Sequence, residues 1–341
     1  MVNVFNDNTS PAASAIPTRP PTPPPQRRHQ AWFAVAAGVA VALLLVDRGL
    51  STLGTYGAWL FVLTPLAIGT AVGFACNLFA SVTARETTGV VLVSVVMAGA
   101  FMIAFGIEGL VCLAMSLPIT VPMVIVGGLI GRLMAPPHDG QNARQGQHGK
   151  HWAGMIVMLA LPLGGFVEAP AGQLLHEVRS SVIINGTPDA VWPQVVAFPE
   201  LPAPTDWLSR AGVAYPRRAH IDGNGVGAVR YCVFSTGPFV EPITQWEPGR
   251  RLSFDVAASP APVRELSPWR ELAPPHLHGY LRPQRGEFRL VDLGDGRTRL
   301  EGSTWYEIEM APEFYWRAIS DALIHRIHLR VLEHIKQQVE S

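Results

Sequence analysis

Residues 312–339, PEFYWRAISDALIHRIHLRVLEHIKQQV, decide the fold, because they hold the clearest amphipathic pattern in the chain. At about 100° per residue, the apolar side chains fall on one broad arc of a helix. That arc consists of Trp316, Leu323, Ile324, Ile327, Val331, Leu332, Ile335 and Val339. The charged side chains Arg326, Arg330, Glu333 and Lys336 lie on the other side. The pattern predicts a long helix that begins at Pro312 and buries one flank.

A polar stripe runs along the edge of this arc and consists of Arg317, Asp321, His325 and His328. Arg317 and Asp321 have the i, i+4 spacing of a helical ion pair. The two histidines of the stripe, with His276 and His278 earlier in the chain, are ligand types that zinc uses. Three interpretations stay open: a surface ion pair with histidines at a rim, a weak zinc site, or a stripe that orients a polar group of a ligand.

Alternating sequences before this helix predict antiparallel strands with one buried face. Leu252, Phe254 and Val256 alternate with Ser253 and Asp255, which is the period of a half-buried strand. From residue 176 onward, the predicted order is a strand, two helices, six strands and the long helix. Such a sheet needs a cover on its apolar face, and the last helix carries the matching stripe.

The segments SSVIINGTPDAVWPQVVAF (180–198) and GNGVGAVRYCVFSTGPFVEPITQWEPGRRLSFDV (223–256), followed by the closing helix, resemble the START-like or SRPBCC superfamily. That superfamily includes polyketide cyclase/dehydrase and lipid-transport-like proteins. The resemblance covers about residues 176–340, within a C-terminal domain that we predict at residues 171–341. It implies an α+β helix-grip domain, in which the sheet wraps around the C-terminal helix and a hydrophobic ligand lies between them. A proline-rich insertion at 259–283 departs from the small members of the family.

Aromatic and acidic side chains on the strands are candidates for lining the implied cavity. The aromatic candidates are Tyr231, Trp246, Trp305 and Tyr306, since ligand pockets are rich in such rings. Glu287 and Glu301 alternate with arginines and form either a solvated charge ladder or, if their face is inward, an acid–base pair. With the polar stripe, these residues complete the predicted site.

The first half of the chain predicts a membrane region. Residues 1–30 form a proline-rich tail that we expect to be disordered. Residues 31–170 hold five apolar segments, each near the ~20 residues that cross a bilayer. These are Ala31–Val46, Tyr56–Ala80, Gly89–Gly106, Leu110–Ile130 and Trp152–Val167. We expect these helices to act as an anchor, so that the lipid bilayer is a partner of the chain.

Positive charge in the short loops predicts the orientation of these helices. The tail and the 132–151 loop carry arginines and a lysine, which places both in the cytoplasm by the positive-inside rule. Five spans then put the C-terminal domain outside the cytoplasm, whereas four spans keep it inside. We expect five, although proline and two glycines interrupt the last segment.

Several function classes are excluded. The 26 basic and 26 acidic residues balance, which argues against nucleic acid as a partner. The glycine-rich stretch 223–227 lies between two predicted strands and opens no helix, so it predicts a hairpin with an Asn224-Gly225 type I′ turn and no dinucleotide site. Three cysteines encode no disulfide framework, and no cofactor is expected.

These observations lead to one principal hypothesis and two alternatives. The principal hypothesis is a membrane-anchored module that binds an apolar small molecule, such as a lipid, an isoprenoid or a polyketide, exchanged with the bilayer. The first alternative is an enzyme of the cyclase/dehydrase kind with histidine or carboxylate acid–base groups. The second is a protein-interaction domain without a ligand, which would carry an exposed apolar patch around Trp269–Tyr280.

Overall fold

A computed structural model describes residues 32–36, 38–40, 57–78, 82–136, 174–265 and 279–341, with positions 29, 44, 156, 267–268 and 277. Most of the tail, the fifth apolar segment and the middle of the insertion lie outside the described residues.

The C-terminal half has the predicted order of elements. Its strands are β1 (His176–Asn185), β2 (Pro216–Asp222), β3 (Val229–Phe234), β4 (Gly237–Glu247), β5 (Arg251–Asp255), β6 (Leu281–Gly294) and β7 (Arg297–Ile308). The helices of the N-terminal region are α1 (Thr64–Cys76), α2 (Ala84–Ala104) and α3 (Leu110–Met134), and those of the C-terminal half are α4 (Pro188–Val196), α5 (Trp207–Arg210) and α6 (Glu313–Glu340). Pro312 is the N-cap of α6 and lies just before its first turn.

One antiparallel sheet forms the framework of this half, with strand order β1-β7-β6-β5-β4-β3-β2. Side chains of β1 alternate strictly between buried and exposed, as the period of two requires. The buried face packs on α6 through fully buried side chains such as Leu252, Leu300, Leu332 and Ile335. A curled sheet around a C-terminal helix is the helix-grip architecture, and this part of the prediction is confirmed.

The glycine-rich connection between β2 and β3 joins antiparallel neighbours, as predicted. Its turn differs from the expected one, because only Gly223, Gly225 and Gly227 have positive φ there. Asn224 is not in the left-handed region that both central positions of a type I′ turn require. The three glycines absorb the unusual backbone angles, so the asparagine does not need to.

Within the part of the chain that the structure describes, three helices are long and apolar enough to cross a membrane. They are Trp59–Asn77, which includes a π-helical turn before α1, Ala84–Ala104 and Leu110–Met134. They match the second, third and fourth predicted segments. Of the first segment, residues 32–36 and 38–40 are helical, and the fifth lies outside the described residues except Ile156. Glycine lets α1 and α3 cross closely: a Cβ on Gly127 or Gly131 would lie 2.1 Å from a carbonyl oxygen of α1.

The helix-grip domain contacts one end of the helix bundle. The Glu265 carboxylate accepts hydrogen bonds from the backbone N–H groups of Val111 (3.0 Å) and Cys112 (3.1 Å). It therefore caps the N-terminus of α3, where the helix dipole favours an anion. Phe61 packs edge-on against Trp316 with ring centroids 4.8 Å apart. The described part of the insertion is thus in contact with α3.

Candidate functional site

A cavity of about 160 Å³ lies between the concave face of the sheet and α6. Its wall is mainly apolar, and the side chains that form it include Phe234, Phe254, Phe288, Val331 and Leu332. Phe254 lies over Gly286 of the neighbouring strand, where an added Cβ would come within 2.4 Å of the ring. The sheet is therefore shaped to hold this ring and leaves space beside it.

An ion pair is buried in the wall of this cavity. Arg230 of β3 and Glu241 of β4 are direct cross-strand partners, and they are only 1% and 5% exposed. Arg230 Nη1 donates to Glu241 Oε2, and Nε donates to the Val196 carbonyl at 3.0 Å. Nη2 makes no geometrically sound hydrogen bond to the residues that the structure describes, and the weak acceptor near the guanidinium is the Cys232 sulfur. The two N–H groups of this buried nitrogen are thus available to an acceptor.

Aromatic rings surround the guanidinium group. Its carbon lies 5.4–5.6 Å from the ring centroids of Phe198, Phe254 and Phe288, which is within the range of cation–π attraction. Burial would lower the pKa of Arg230, but the charge of Glu241 raises it above the ordinary value. Arg230 therefore stays charged inside an apolar wall.

Burial shifts the pKa values of the neighbouring acidic groups upward, whereas it acts to lower the pKa of Arg230. Burial raises the pKa of Glu241 above its ordinary value, and the charge of Arg230 acts against this rise. Burial, and then the Glu241 charge, raises the pKa of the Cys232 thiol to about 12. Cys232 is therefore a protonated thiol at neutral pH and not a nucleophile of the activated kind.

His328 is the residue of the predicted polar stripe that lines the cavity. Its Nε2 lies 2.7 Å from Thr304 Oγ1 and its Nδ1 lies 3.2 Å from Ser180 Oγ. Both hydroxyls belong to the inner face of the sheet. Burial, and then the nearby His325, lowers the pKa of His328 to about 4. The imidazole is therefore neutral at physiological pH.

The rest of the stripe lies outside the cavity lining. His325 is exposed, and its Nδ1 contacts Ser180 Oγ at 2.7 Å. Asp321 accepts a hydrogen bond from the hydroxyl of fully buried Tyr306 (2.6 Å) and pairs with Arg317 at 3.5 Å. These three stripe residues and Tyr306 were predicted to line the cavity, and the structure instead makes them the polar seam between α6 and the sheet edge.

Glu287 and Trp305 have their side chains on the outer face of the sheet. The neighbours of Glu287 in β6, Gly286 and Phe288, face the cavity, so its side chain must point away. Its carboxylate accepts a hydrogen bond from Ser253 Oγ at 3.0 Å. Trp305 stacks with Arg285, whose guanidinium lies 4.0 Å from a ring centroid. The cavity lining includes Glu287, but its carboxylate lies on the outer face, so the inward acid–base arrangement is not found.

Tyr231 and Trp246 also lie outside the cavity. Tyr231 stacks on His220 with centroids 5.1 Å apart, since the inward positions of β3 belong to Arg230 and Cys232. Trp246 packs edge-on against Trp192 at the margin of the core. Both rings serve packing, which is the commoner role of aromatic residues in a sheet.

Within the described residues, no group of three or more metal-ligating side chains occurs. His276 and His278 lie outside the described residues. His325 and His328 share the hydroxyl of Ser180, which gives each of them a hydrogen-bonding role.

The sequence contains a signal for the buried pair that our prediction missed. Arg230 is in phase with Cys232 and Phe234, and Glu241 is in phase with Ile243, so alternation places both charges on the apolar face. Two opposite charges at inward positions of neighbouring strands indicate a buried pair. The charged residues of β6 and β7 are more numerous, and they make this single inward pair less conspicuous in the sequence.

No family model matches the chain, and no curated protein matches it. Among solved structures, the Zhui aromatase/cyclase from Streptomyces sp. R1128 is similar, with 14% identity over 49% of this chain and 94% of that chain and a TM-score of 0.31. Norcoclaurine synthase from Thalictrum flavum, in complex with dopamine and hydroxybenzaldehyde, has 12% identity over 49% of this chain and 88% of that chain, with a TM-score of 0.33.

A protein from Bacillus cereus is similar at 15% identity over 48% of this chain and 96% of that chain, with a TM-score of 0.31. Our assignment of the helix-grip class rests on the strand order and on the position of α6 described above.

Proposed function

We propose that this chain is a membrane-anchored helix-grip module that binds an apolar small molecule in the cavity between the sheet and α6. The observation that carries the proposal is the unused Nη2 donor of Arg230 in an otherwise apolar wall. A buried donor without a partner costs about 1–3 kcal/mol. A ligand oxygen that accepts a hydrogen bond from Nη2 would remove this cost.

The charge of the site favours a neutral acceptor. Arg230 is already compensated by Glu241, so a carboxylate would add a second anion next to a single cation in a low-dielectric wall. A carbonyl, ester or phenolic oxygen accepts the hydrogen bond without that repulsion. The proposed ligand is therefore largely hydrocarbon and carries one neutral oxygen acceptor, a description that fits many lipids, isoprenoids and polyketides.

The test is to identify what the full chain retains when it is extracted from cells in polymer-bounded discs of native membrane. We expect mass spectrometry of a solvent extract to show an oxygen-bearing apolar molecule enriched over empty discs. The enrichment should be lost in the double variant Arg230→Met/Glu241→Met and kept in the control Arg299→Met, which changes an arginine on the outer face of β7. An occupant that is equally abundant in the double variant would contradict the proposal.

The orientation of the helix bundle supports an extracytoplasmic position of the domain. Helix α3 begins next to Glu265 and ends near Arg132, whose Nε donates to the Val82 carbonyl at 3.0 Å between α1 and α2. The basic 132–151 loop therefore leaves the bundle at the end away from the domain. If that loop is cytoplasmic, the domain is outside and one more crossing is needed within residues 135–175.

Two single cysteines test this orientation. Gln338→Cys, near the end of α6, and Arg85→Cys, at the start of α2, both replace exposed residues. In intact cells, a membrane-impermeant maleimide should label the first and should label the second only after the membrane is permeabilised. Labelling in the reverse order would place the domain in the cytoplasm.

Acid–base catalysis of the cyclase/dehydrase kind is a second candidate function, and the neutral imidazole of His328 in the cavity wall favours it. A neutral imidazole can accept a proton from a bound ligand, here through the Ser180 or Thr304 hydroxyl to which it is hydrogen bonded. Incubation of the native-disc protein with its own extract should then give a product lighter by one water molecule. His328→Gln should abolish this change while His325→Gln keeps it, and an extract that stays unchanged with the unmodified protein would remove this candidate.

A further inference from the structure

A second cavity, of about 250 Å³, lies between the helix bundle and the helix-grip domain. Its walls come from α1, α2 and α3 on one side and from the first turns of α6 on the other. The hydroxyls of Ser116 and Thr120 donate to carbonyls of α3 itself, at 2.8 and 3.1 Å. These two hydroxyls are therefore satisfied within the helix. The lining also includes the buried side chain of Glu108 at the loop before α3, and the rest is mainly hydrocarbon.

Helix α6 roofs both cavities. Trp316 and Ile319 cover the cavity at the helix bundle, whereas Ile327 and Val331 cover the cavity of the sheet. Four residues line both: Pro262, Leu281, Ser320 and Leu323. We call these four residues the neck. Their side chains border both spaces, so a molecule that displaces Leu323 would connect the spaces at this point.

The second cavity extends deep into the helices that are apolar enough to cross a bilayer. Its lining on α3 runs from Cys112 to Val124, which is about 18 Å along the axis at ~1.5 Å per residue. The hydrocarbon core of a bilayer is ~30 Å thick, so this depth corresponds to one leaflet. A chain of a leaflet lipid would find the same surroundings in the cavity as in the membrane.

We propose that the second cavity and the neck hold the hydrocarbon chain of a membrane amphiphile whose neutral oxygen group lies at Arg230. One molecule then occupies both cavities and passes between bilayer and domain through the neck. This inference rests on the proposed function and narrows the ligand class to single-chain amphiphiles with an uncharged head, such as esters, ketones or alcohols.

The test uses the full chain in phosphatidylcholine nanodiscs and the methyl ester of a sixteen-carbon fatty acid with a diazirine at the end of its chain. After irradiation, peptide mapping should show the label in peptides that contain Met102 and Met115, which line the second cavity. Label on lipid-facing Val96 serves as the internal reference, since this side chain is 70% exposed.

The variants separate one spanning ligand from two independent cavities. Leu323→Trp fills the neck and should lower labelling of the Met102 and Met115 peptides at least fivefold relative to the reference. Ser320→Leu is the second neck variant and should act in the same direction if Leu323→Trp does not fold. The matched control Ala322→Trp changes an exposed neighbour on α6 and should leave labelling unchanged.

Arg230→Met/Glu241→Met should also lower tail labelling, because the head loses its hydrogen bond. Labelling that is insensitive to the neck and to Arg230, or absent from both methionine peptides, would overturn the inference. If the native discs nevertheless contain an occupant whose retention depends on Arg230, the proposed function stands. Only the ligand that spans both cavities is then rejected.

Discussion

The two faces of the sheet both carry arginine–glutamate pairs, and the pairs differ in their surroundings. On the outer face, Arg299 and Glu301 lie 2.8 Å apart, with side chains 43% and 13% exposed. On the inner face, the side chains of Arg230 and Glu241 are 2% and 7% exposed. The outer pair remains partly hydrated and gains only a weak attraction, whereas the inner pair has lost nearly all of its contact with water.

This difference shows which pair is explained by stability alone. An exposed pair contributes ~0–1 kcal/mol and is a usual solvent-facing feature of a sheet. A buried pair is often less favourable than two apolar side chains of the same volume, and here it also leaves one donor unused. The inner pair is therefore the observation on which the proposed ligand rests, and the outer pair gives no reason to propose one.

Removal of one member of the inner pair gives the largest expected effect. Arg230→Met leaves the Glu241 carboxyl group without its partner in an apolar wall, so the free energy of unfolding should fall by about 3–5 kcal/mol. Denaturant unfolding of the full chain, followed by the domain's tryptophan fluorescence, measures this. Arg230→Met/Glu241→Met should restore most of the loss, and a double variant as unstable as the single one would refute the charge argument.

The buried imidazole should produce the next largest effect, through pH. The pKa of His328 falls from 6.5 to about 4 on folding, so the unfolded state binds the proton more readily between these values. The contribution of neutral His328 to the free energy of unfolding is fully present above pH 6.5. It decreases by about 3 kcal/mol as the pH falls to 4. His328→Gln should flatten this part of the stability–pH profile, and a profile parallel to that of the unmodified protein would contradict the assignment.

A third carboxylate, that of buried Glu265, sharpens the comparison because its partner is a helix end and not an arginine. Glu265→Gln keeps the shape of the side chain and removes the charge that caps α3. The contact of the domain with the bundle should weaken by about 1 kcal/mol. Hydrogen exchange at Val111 and Cys112 in nanodiscs should then be severalfold faster, and unchanged protection would show that the charge is dispensable.

The outer pair should give the smallest effect. Arg299→Met should change the free energy of unfolding by less than about 1 kcal/mol. This change should be smaller still at high salt. Retention of the native occupant should be unaffected. A loss comparable with that of Arg230→Met would erase the distinction between the two faces.

The sequence was sufficient for the fold of the C-terminal half, because alternation and the α6 arc are local patterns. The site was harder to predict, because it depends on which strand face curls inward. Glu287 and Tyr231 were chosen by residue type, although the inward phase of their strands belongs to Gly286 and Arg230. The contact of Glu265 with α3 joins residues more than 150 positions apart and has no local signature.

The same limit applies to the helices of the first half. Hydropathy indicated α1, α2 and α3, since apolar runs of this length are distinctive. It gave no sign that they share a cavity with α6, because the neck combines Pro262, Leu281, Ser320 and Leu323 from three separate parts of the fold.

The central claim is that Arg230 donates a hydrogen bond to a neutral oxygen of the ligand. The most direct test of this claim is a thermodynamic cycle. Methyl cis-parinarate and the hydrocarbon with the same chain and double bonds are bound to the full chain in nanodiscs and detected by energy transfer from tryptophan. The unmodified protein should prefer the ester by about tenfold or more, since a hydrogen bond to a charged donor contributes ~1.5–3 kcal/mol. Arg230→Met/Glu241→Met should bind both equally, and an ester preference that survives in this variant would contradict the account.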